Sequence, residues 1–190
     1  MDTPDYAFDQ IESERLILRR FRDSDLEPFL AYRADPDVAR YQDWEDFSRP
    51  DAERFIEGVD SMNPNTPGEW FQCAIEIKST GEMIGDLGML TMADDPRQVT
   101  LGYTLSRDHQ GNGYATEAVL RWLRYVFDDL EKHRLIAVTD CLNTPSFALM
   151  ERVGMRREAH YLQNIWFKGA WGDEYQYAIL RSEWGARAGR

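Results

Sequence analysis

The sequence lacks the features of several protein classes. No apolar run approaches the roughly 18 residues that a membrane-spanning helix needs. Residues 1–5, which read MDTPD, are acidic and have neither the basic start nor the apolar core of a signal peptide. These absences predict a cytoplasmic protein that does not insert into a membrane.

Cysteine and histidine are also scarce. Cys73 and Cys141 both lie in apolar, strand-like runs, which favours two buried thiols over a disulfide or a metal pair. The three histidines, His109, His133 and His160, are far apart and match no metal-ligand spacing. We therefore expect no metal site.

Basic residues are outnumbered, with 22 Lys and Arg against 34 Asp and Glu and a net charge of −12. Binding to nucleic acid requires concentrated Lys and Arg, so a nucleic-acid partner is not expected. An acidic surface suits a cationic partner such as an amine. It also keeps many proteins soluble without such a partner, so both interpretations stay open.

The chain contains enough residues for one domain. A length of 190 residues with 43% hydrophobic residues predicts a single folded unit with a sizeable core. Residues 1–12 show little periodicity and are predicted to form a loose lead-in. The predicted domain covers residues 13–184, and residues 185–190 are a C-terminal tail.

Hydrophobic periodicity predicts alternating strands and helices. Strands are expected at 16–21, 70–77, 83–92, 99–105 and 135–139, with two aromatic-rich strands within 156–180; helices are expected near 25–33, 48–59, 114–130 and 144–153. The strand at 135–139 follows a helix and should run parallel to the strand at 99–105. In the helix after it, Thr144 is the predicted N-cap, Pro145 the first helical residue and Gly154 the terminating residue.

Residues 110–116, which read QGNGYAT, connect a predicted strand to the most regular helix. Gly111 and Gly113 have no Cβ, so main-chain amides can converge, and the helix start adds unpaired N–H groups with a partial positive charge. Such a turn can hold a phosphate or pyrophosphate, although an ordinary glycine-rich turn has the same composition. A dinucleotide fingerprint needs glycine where Thr116 stands, and a P-loop needs a lysine that is missing, so both are excluded.

A Gln-x-x-Gly-x-Ala pattern remains at Gln110, Gly113 and Ala115, and it resembles the acetyl-CoA pyrophosphate loop of GNAT N-acetyltransferases. Residues 143–146, which read NTPS, are similar to the second motif of that family. Residues 156–159 and 171–180 resemble its RimJ/RimL-like branch, which includes ribosomal-protein N-terminal acetyltransferases. The likeness extends over residues 13–184.

The resemblance implies a single α/β domain, α+β by arrangement, with about four helices and a mostly antiparallel mixed sheet of about six or seven strands. The sheet would be splayed at a central parallel pair, between the strand ending near Leu105 and the one ending near Asp140. Acetyl-CoA would be the co-substrate, without a metal, and its pantetheine would lie in the splay. The implied cofactor-binding residues are Tyr103, Thr104, Leu105, Gln110, Gly111, Asn112, Gly113, Tyr114, Ala115, Thr116, Asn143 and Ser146.

The implied reaction is direct transfer of an acetyl group to a primary amine. A main-chain amide near Leu105 would polarise the thioester carbonyl, and Ser146 is the candidate that protonates the leaving thiolate. Helix capping is an alternative role for Ser146. The glutamate often found ten residues before Gln110 is replaced by Thr100, which cannot accept a proton at neutral pH.

Amine deprotonation therefore needs another route. Asp140 is the candidate base, acting through water, and Glu158 and Asp173 are further candidates. Alternatively, the enzyme binds the small neutral fraction of its amine. For each carboxylate taken alone, a solvated or capping role is favoured over catalysis.

The acceptor implied by the RimJ/RimL-like branch is a protein or peptide N-terminal amine. A small cationic amine, such as a polyamine or an amine-bearing antibiotic, is the alternative, and the departure at Thr100 leaves open a CoA-binding module without activity. The acceptor is expected to bind near residues 32–44, 62–69 and 168–171. The chain is predicted to act as a monomer or a homodimer.

Overall fold

The computed structural model describes residues 8–59 and 61–188, except the side chains of residues 187 and 188. Eight strands form one sheet in the order β1-β2-β3-β4-β5-β6-β8-β7. Every neighbouring pair is antiparallel except β5 and β6, which are parallel. The strands are β1 (Gln10–Glu12), β2 (Leu16–Arg19), β3 (Trp70–Ile77), β4 (Glu82–Thr91), β5 (Gln98–Leu105), β6 (Arg134–Asp140), β7 (Arg156–Phe167) and β8 (Ala170–Leu180).

Six α-helices accompany the sheet within the described residues: α1 (Leu26–Arg33), α2 (Pro36–Ala39), α3 (Arg49–Val59), α4 (Tyr114–Arg124), α5 (Thr144–Arg152) and α6 (Arg181–Ala188). The predicted α/β class and the mixed, mostly antiparallel sheet are confirmed. The predicted counts were slightly low. Strand β1 and helix α2, of three and four residues, are too short to show a periodic pattern, and α6, of eight residues, was not predicted. After α4 the chain continues as a wider π-helical turn over Tyr125–Asp129.

Helix α4 packs on one face of the sheet because its apolar residues recur at helical spacing. Val119, Trp122 and Leu123 are all almost fully buried. The Trp122 ring stacks on Phe71 of β3, with ring centroids 6.2 Å apart and an interplanar angle of 9°. This core fixes the start of α4, and with it the preceding glycine turn, relative to the sheet.

The opposite face carries a second apolar cluster beneath α1 and α3, which includes Phe29. A buried ion pair adjoins it, between Arg33 of α1 and Asp86 of β4, with an Nη2–Oδ1 distance of 3.1 Å. The Arg33 guanidinium also lies 4.0 Å from the ring centroid of Trp44, whose indole N–H donates to the Arg33 carbonyl at 3.0 Å. The segment after α2 is thus attached to the sheet through Trp44.

The parallel pairing of β5 and β6 is short. It joins Gln98 to Arg134, Val99 to Leu135 and Thr100 to Ile136, and no further residues. Beyond it, β5 continues to pair with β4, and β6 continues to pair with β8. The two strands therefore separate after Thr100, which is the splay that the resemblance implies.

The N-terminal prediction needs a correction. Residues 8–12 are not a loose lead-in, because β1 pairs with β2 and Phe8 is only 4% exposed, with its ring against Phe71 and Trp122. A three-residue strand gives no alternation that the sequence could show. Residues 1–7 of the predicted lead-in lie outside the described residues. The predicted tail from residue 185 begins within α6, and residues 189–190 lie outside the described part.

Candidate active site

The splay between β5 and β6 opens into a cleft of about 960 Å³. Thirteen site residues were predicted, spread over more than forty positions of the sequence, and twelve of them line this cleft. They are Tyr103, Thr104, Leu105, Gln110, Gly111, Gly113, Tyr114, Ala115, Thr116, Asp140, Asn143 and Ser146. Asn112 is the exception, because its side chain turns back to the carbonyls of His109 and Gln110, at 3.3 and 3.2 Å. Thr100 is absent from the lining because it lies in the paired section of β5.

We call residues 111–116, together with Arg15 and Arg152, the turn end of the cleft. Gly111 and Gly113 have φ values of 78° and 80°, a left-handed conformation that side chains with a Cβ rarely adopt. A Cβ built on Gly111 meets nothing within 4 Å, and one on Gly113 would lie 3.5 Å from Nη2 of Arg15. The two glycines therefore allow the left-handed backbone conformation, and their missing side chains leave open space above the turn.

The amides of the turn are available to a ligand. The first hydrogen bond of α4 runs from Glu117 N to the Gly113 carbonyl at 3.0 Å. Across residues 8–59 and 61–188, no group accepts a hydrogen bond from the amides of 111–116. Free N–H groups at the start of a long helix form a site for an anion.

A hydrogen bond from Gln110 Nε2 to the Leu105 carbonyl, at 3.1 Å, connects the turn to the sheet. Arg15 braces it from the other side through an ion pair with Glu117, at 2.6 Å, and a hydrogen bond to the Asn112 carbonyl, at 3.2 Å. Burial alone would raise the pKa of Glu117, but hydrogen bonds from the Arg15 amide, Ser13 and the Arg15 side chain bring it below its usual value. Glu117 therefore remains a carboxylate that holds Arg15 in place.

Two arginines that the sequence analysis did not single out stand at the turn end. Arg15 lies over the Tyr114 ring, 4.6 Å from its centroid, and lines the cleft. Arg152, from the last turn of α5, donates to the Thr116 hydroxyl at 3.2 Å and also lines the cleft. Neither residue is near the turn in sequence, so no local pattern could identify it.

Helix α5 brings Ser146 to the middle of the cleft. The predicted N-cap Thr144 is wrong, because Asn143 precedes the first helical residue and its side chain accepts from the Ser146 amide, at 3.4 Å. Pro145 therefore occupies the second helical position. The Ser146 side chain does not cap the helix, since its Oγ lies 2.8 Å from the Tyr103 hydroxyl.

The structure separates the three carboxylates considered as bases. Asp140 lines the cleft, and its Oδ1 accepts from the Leu142 amide at 2.6 Å. Glu158 is held by Arg134 and by Arg156 away from the cleft, and it is not part of the lining. Asp173 is also outside the lining, with Oδ1 accepting from the Gln163 amide at 2.8 Å.

A fourth carboxylate, Glu174, was missed by the sequence analysis. It lies directly opposite Asp140 in the register of β6 and β8, and it lines the cleft. Its Oε2 accepts from Asn164 Nδ2 at 2.5 Å. Only the strand register, which sequence periodicity does not reveal, places these two carboxylates side by side.

We call the remaining wall, formed by cleft-lining residues within 37–43 and by Ile165, Phe167 and Glu174, the hairpin end. Lys168, at the tip of the β7–β8 hairpin, donates to the carbonyls of Ala39 and Trp44, at 2.6 and 3.1 Å. Tyr41 donates to the Leu142 carbonyl at 3.3 Å. Residues 62–69, which were expected near the acceptor, do not line the cleft.

Within the described part of the chain, no three His, Cys, Asp or Glu side chains are grouped so that they could hold a metal ion. Cys73 and Cys141 are free thiols, the former buried and the latter partly exposed. Among the helices described, none combines the length and the apolar character required to cross a bilayer.

Comparisons with known proteins agree with the fold. Residues 15–156 match a family model described as an acetyltransferase (GNAT) domain. The uncharacterized N-acetyltransferase YnaD of Bacillus subtilis is 30% identical over 174 residues, which are 92% of this chain and 98% of that protein. A GNAT-family acetyltransferase structure from Bacillus anthracis is also 30% identical, with a TM-score of 0.81 over 92% of this chain and 99% of that one.

A putative ribosomal-protein-serine acetyltransferase from Vibrio cholerae is a second relative of known structure. It is 26% identical, with a TM-score of 0.76 over 94% of this chain and 99% of that one. The similarity therefore extends over nearly the whole of both chains.

Proposed function

This chain belongs to the GNAT family of N-acetyltransferases, and on that premise we propose that it transfers the acetyl group of acetyl-CoA to the N-terminal amine of a protein or peptide. One observation carries the proposal: a single cleft joins a turn of unpaired amides, the Ser146 hydroxyl and two carboxylates. These are the groups needed to hold a pyrophosphate, protonate a thiolate and bind an amine.

The turn end would hold the pyrophosphate of acetyl-CoA. The amides of residues 111–116 donate to its oxygens, and the positive end of the α4 dipole adds to the attraction. Arg15 strengthens the site, because Glu117 and the Asn112 carbonyl fix its Nε and Nη1 and leave Nη2 beside Gly113. Arg152 supplies a second positive charge from α5.

Pantetheine would lie along the free edge of β5. Main-chain groups of residues 101–105 face the splay, where β6 no longer pairs with them. Such unpaired peptide groups form ladder-like hydrogen bonds with an extended amide ligand. The Leu105 amide, at the end of this edge, would then polarise the thioester carbonyl.

At the centre of the cleft the amine nitrogen attacks the carbonyl carbon and the C–S bond breaks. The sulfur gains a proton and the amine nitrogen loses one. Ser146 would be the proton donor to sulfur, and two observations support this role: its hydroxyl does not cap the helix, and the residue lines the cleft. Asp140, through water, receives the proton from the amine, and Glu174 beside it adds negative charge that attracts the cationic acceptor.

The similarity to a putative ribosomal-protein-serine acetyltransferase supports a protein N-terminus as the acceptor. A small polyamine is a second candidate because the cleft is acidic. Asp43, Asp140 and Glu174 line the cleft, and none of them forms an ion pair with another described residue. Several unpaired carboxylates suit an acceptor that carries more than one positive charge.

The release of free CoA thiol tests the proposal. The protein is incubated with acetyl-CoA and with peptides that have a free N-terminus, the same peptides with a blocked N-terminus, spermine or an aminoglycoside. We expect turnover with free N-terminal peptides and little with blocked ones. Faster turnover of spermine would favour the polyamine acceptor, whereas binding of acetyl-CoA without turnover of any amine would favour an inactive CoA-binding module.

A further inference from the structure

Two hydroxyl groups meet across the splay. Tyr103 projects from β5 and Ser146 from the first turn of α5, and the two oxygens are 2.8 Å apart. The Tyr103 oxygen also lies 3.1 Å from the Ser146 carbonyl oxygen. Both residues line the cleft, in the stretch where β5 and β6 are no longer paired.

Tyr103 and Ser146 each have one hydroxyl proton, which limits the hydrogen bonds that the pair can form at one time. A phenol has one proton, and a carbonyl oxygen can only accept. When Tyr103 donates to the Ser146 carbonyl, the Ser146 hydroxyl donates to the Tyr103 oxygen and its proton is occupied. When Tyr103 donates to Ser146 Oγ instead, the Ser146 proton is free for a third partner in the cleft.

The Tyr103 hydroxyl stays protonated at any neutral pH. Burial raises its pKa to about 12, although the hydrogen bond with Ser146 acts in the opposite direction. The phenol is therefore a permanent donor. A Ser146 oxygen that gives up its proton always has a hydrogen-bond donor within reach.

We propose that Tyr103 is a positioning residue for acetyl transfer, which directs the Ser146 proton toward the departing sulfur by donating its own hydrogen bond to Ser146 Oγ. The inference rests on the proposed role of Ser146. As the C–S bond breaks, the sulfur takes the Ser146 proton, and Ser146 regains a proton through water from Asp140, which received the one lost by the amine. Tyr103 keeps its proton and stabilises the serine oxygen while it carries negative charge.

The test replaces Tyr103 by phenylalanine, which removes the hydroxyl and keeps the ring. In a single turnover with saturating acetyl-CoA, we expect the rate constant of acetyl transfer to fall about tenfold. The Kd of acetyl-CoA should change by less than about twofold, because the pyrophosphate and pantetheine contacts remain. A role in packing alone would weaken acetyl-CoA binding together with the rate.

A double-mutant cycle tests whether Tyr103 affects the transfer rate through Ser146. Ser146→Ala should lower the transfer rate more than Tyr103→Phe does, and the double variant should be no slower than Ser146→Ala, because Tyr103 acts through Ser146. Tyr161→Phe is the matched control, since its hydroxyl bonds to Gln176 outside the cleft lining. It should transfer acetyl at the original rate.

The outcomes separate the two proposals. Turnover in the unaltered protein with an unchanged rate in Tyr103→Phe would overturn the inference and leave the proposed function standing. Additive losses in the double variant would also overturn it, because the two residues would then act independently. Absence of turnover with every acceptor in the unaltered protein would overturn both.

Discussion

The two ends of the cleft differ in the chemical groups that form them. The turn end consists mainly of main-chain amides at the start of α4, held in a conformation that Gly111 and Gly113 permit. The hairpin end consists of side chains from segments far apart in the chain, linked by hydrogen bonds from Lys168 and Tyr41. Under the proposed function, acetyl-CoA would therefore be held mainly by backbone at the turn end, and the acceptor mainly by side chains at the hairpin end.

The supports of the two ends differ in the same way. The turn is fixed by Gln110 on the Leu105 carbonyl, by the Arg15–Glu117 ion pair and by the packed helix behind it. The wall at residues 37–43 is attached through Trp44 to Arg33, and its link to the β7–β8 hairpin depends on the exposed side chain of Lys168. Changes at the turn end should therefore affect donor binding, and changes at the hairpin end should affect the acceptor alone.

The largest effect is expected at the turn. Gly113→Val should weaken acetyl-CoA binding at least tenfold, about 1.4 kcal/mol, because a branched Cβ is strained at a φ of 80° and would approach Arg15. Calorimetric titration with acetyl-CoA measures the change. Gly58→Val is the control, as Gly58 lies in α3 with open space around its Cβ position. Unaltered affinity in a folded Gly113→Val protein would show that the pyrophosphate does not bind at this turn.

The next effect concerns the acceptor. Asp140→Asn combined with Glu174→Gln removes both facing negative charges with little change in volume. We expect the KM of the amine to rise about fivefold, roughly 1 kcal/mol, because a cationic acceptor loses its electrostatic partners. We also expect kcat to fall, because Asp140 is the proposed acceptor of the amine proton. The Kd of acetyl-CoA should stay the same. If donor affinity fell and the KM of the amine did not rise, the two ends would not be separate in function.

Arg15→Met should weaken acetyl-CoA binding only about threefold, since the guanidinium is partly exposed and screened by solvent. The loss should shrink as salt concentration rises. Titrations at two ionic strengths measure it, with Arg54→Met, an exposed arginine of α3, as the control. An equal loss at both salt concentrations would indicate that Arg15 supports the turn by packing and not by charge.

The smallest effect is expected at the hairpin tip. Lys168→Met keeps most of the side-chain length but removes the donor to Ala39 and Trp44. We expect the KM of a peptide acceptor to change about twofold, with donor affinity unchanged, because exposed hydrogen bonds contribute little. Steady-state kinetics with varied peptide tests this. A tenfold or larger change in the KM of the peptide would show that the hairpin end depends on the Lys168 hydrogen bonds as strongly as the turn depends on its glycines.

The same contrast explains what could be predicted from sequence. Residues 110–116 form a local motif, because the φ values and the helix start that create the amide site are set within seven residues. The parallel pair and its splay followed from the order of elements and from the family resemblance. Residues 143–146 placed Ser146 correctly at a helix start, although the N-cap fell one residue earlier, since Asn and Thr are both favourable there.

Long-range contacts account for what the sequence did not show. Arg15 reaches the turn from the position just before β2, and Glu174 lies beside Asp140 only through the register of β6 and β8. Strand β1 has three residues, too few to produce an alternating pattern. In each case the deciding information is a pairing between distant segments, which periodicity within one segment does not contain.

Backbone amide chemical shifts during titration with CoA test the central claim most directly. The turn end is expected to bind the ligand through its N–H groups, so the largest changes should fall on the amides of residues 111–116, followed by those of residues 103–105. The amides at the hairpin tip, residues 168–171, should change little until an acceptor is added. Saturable binding that leaves the amides of 111–116 unshifted would contradict the account.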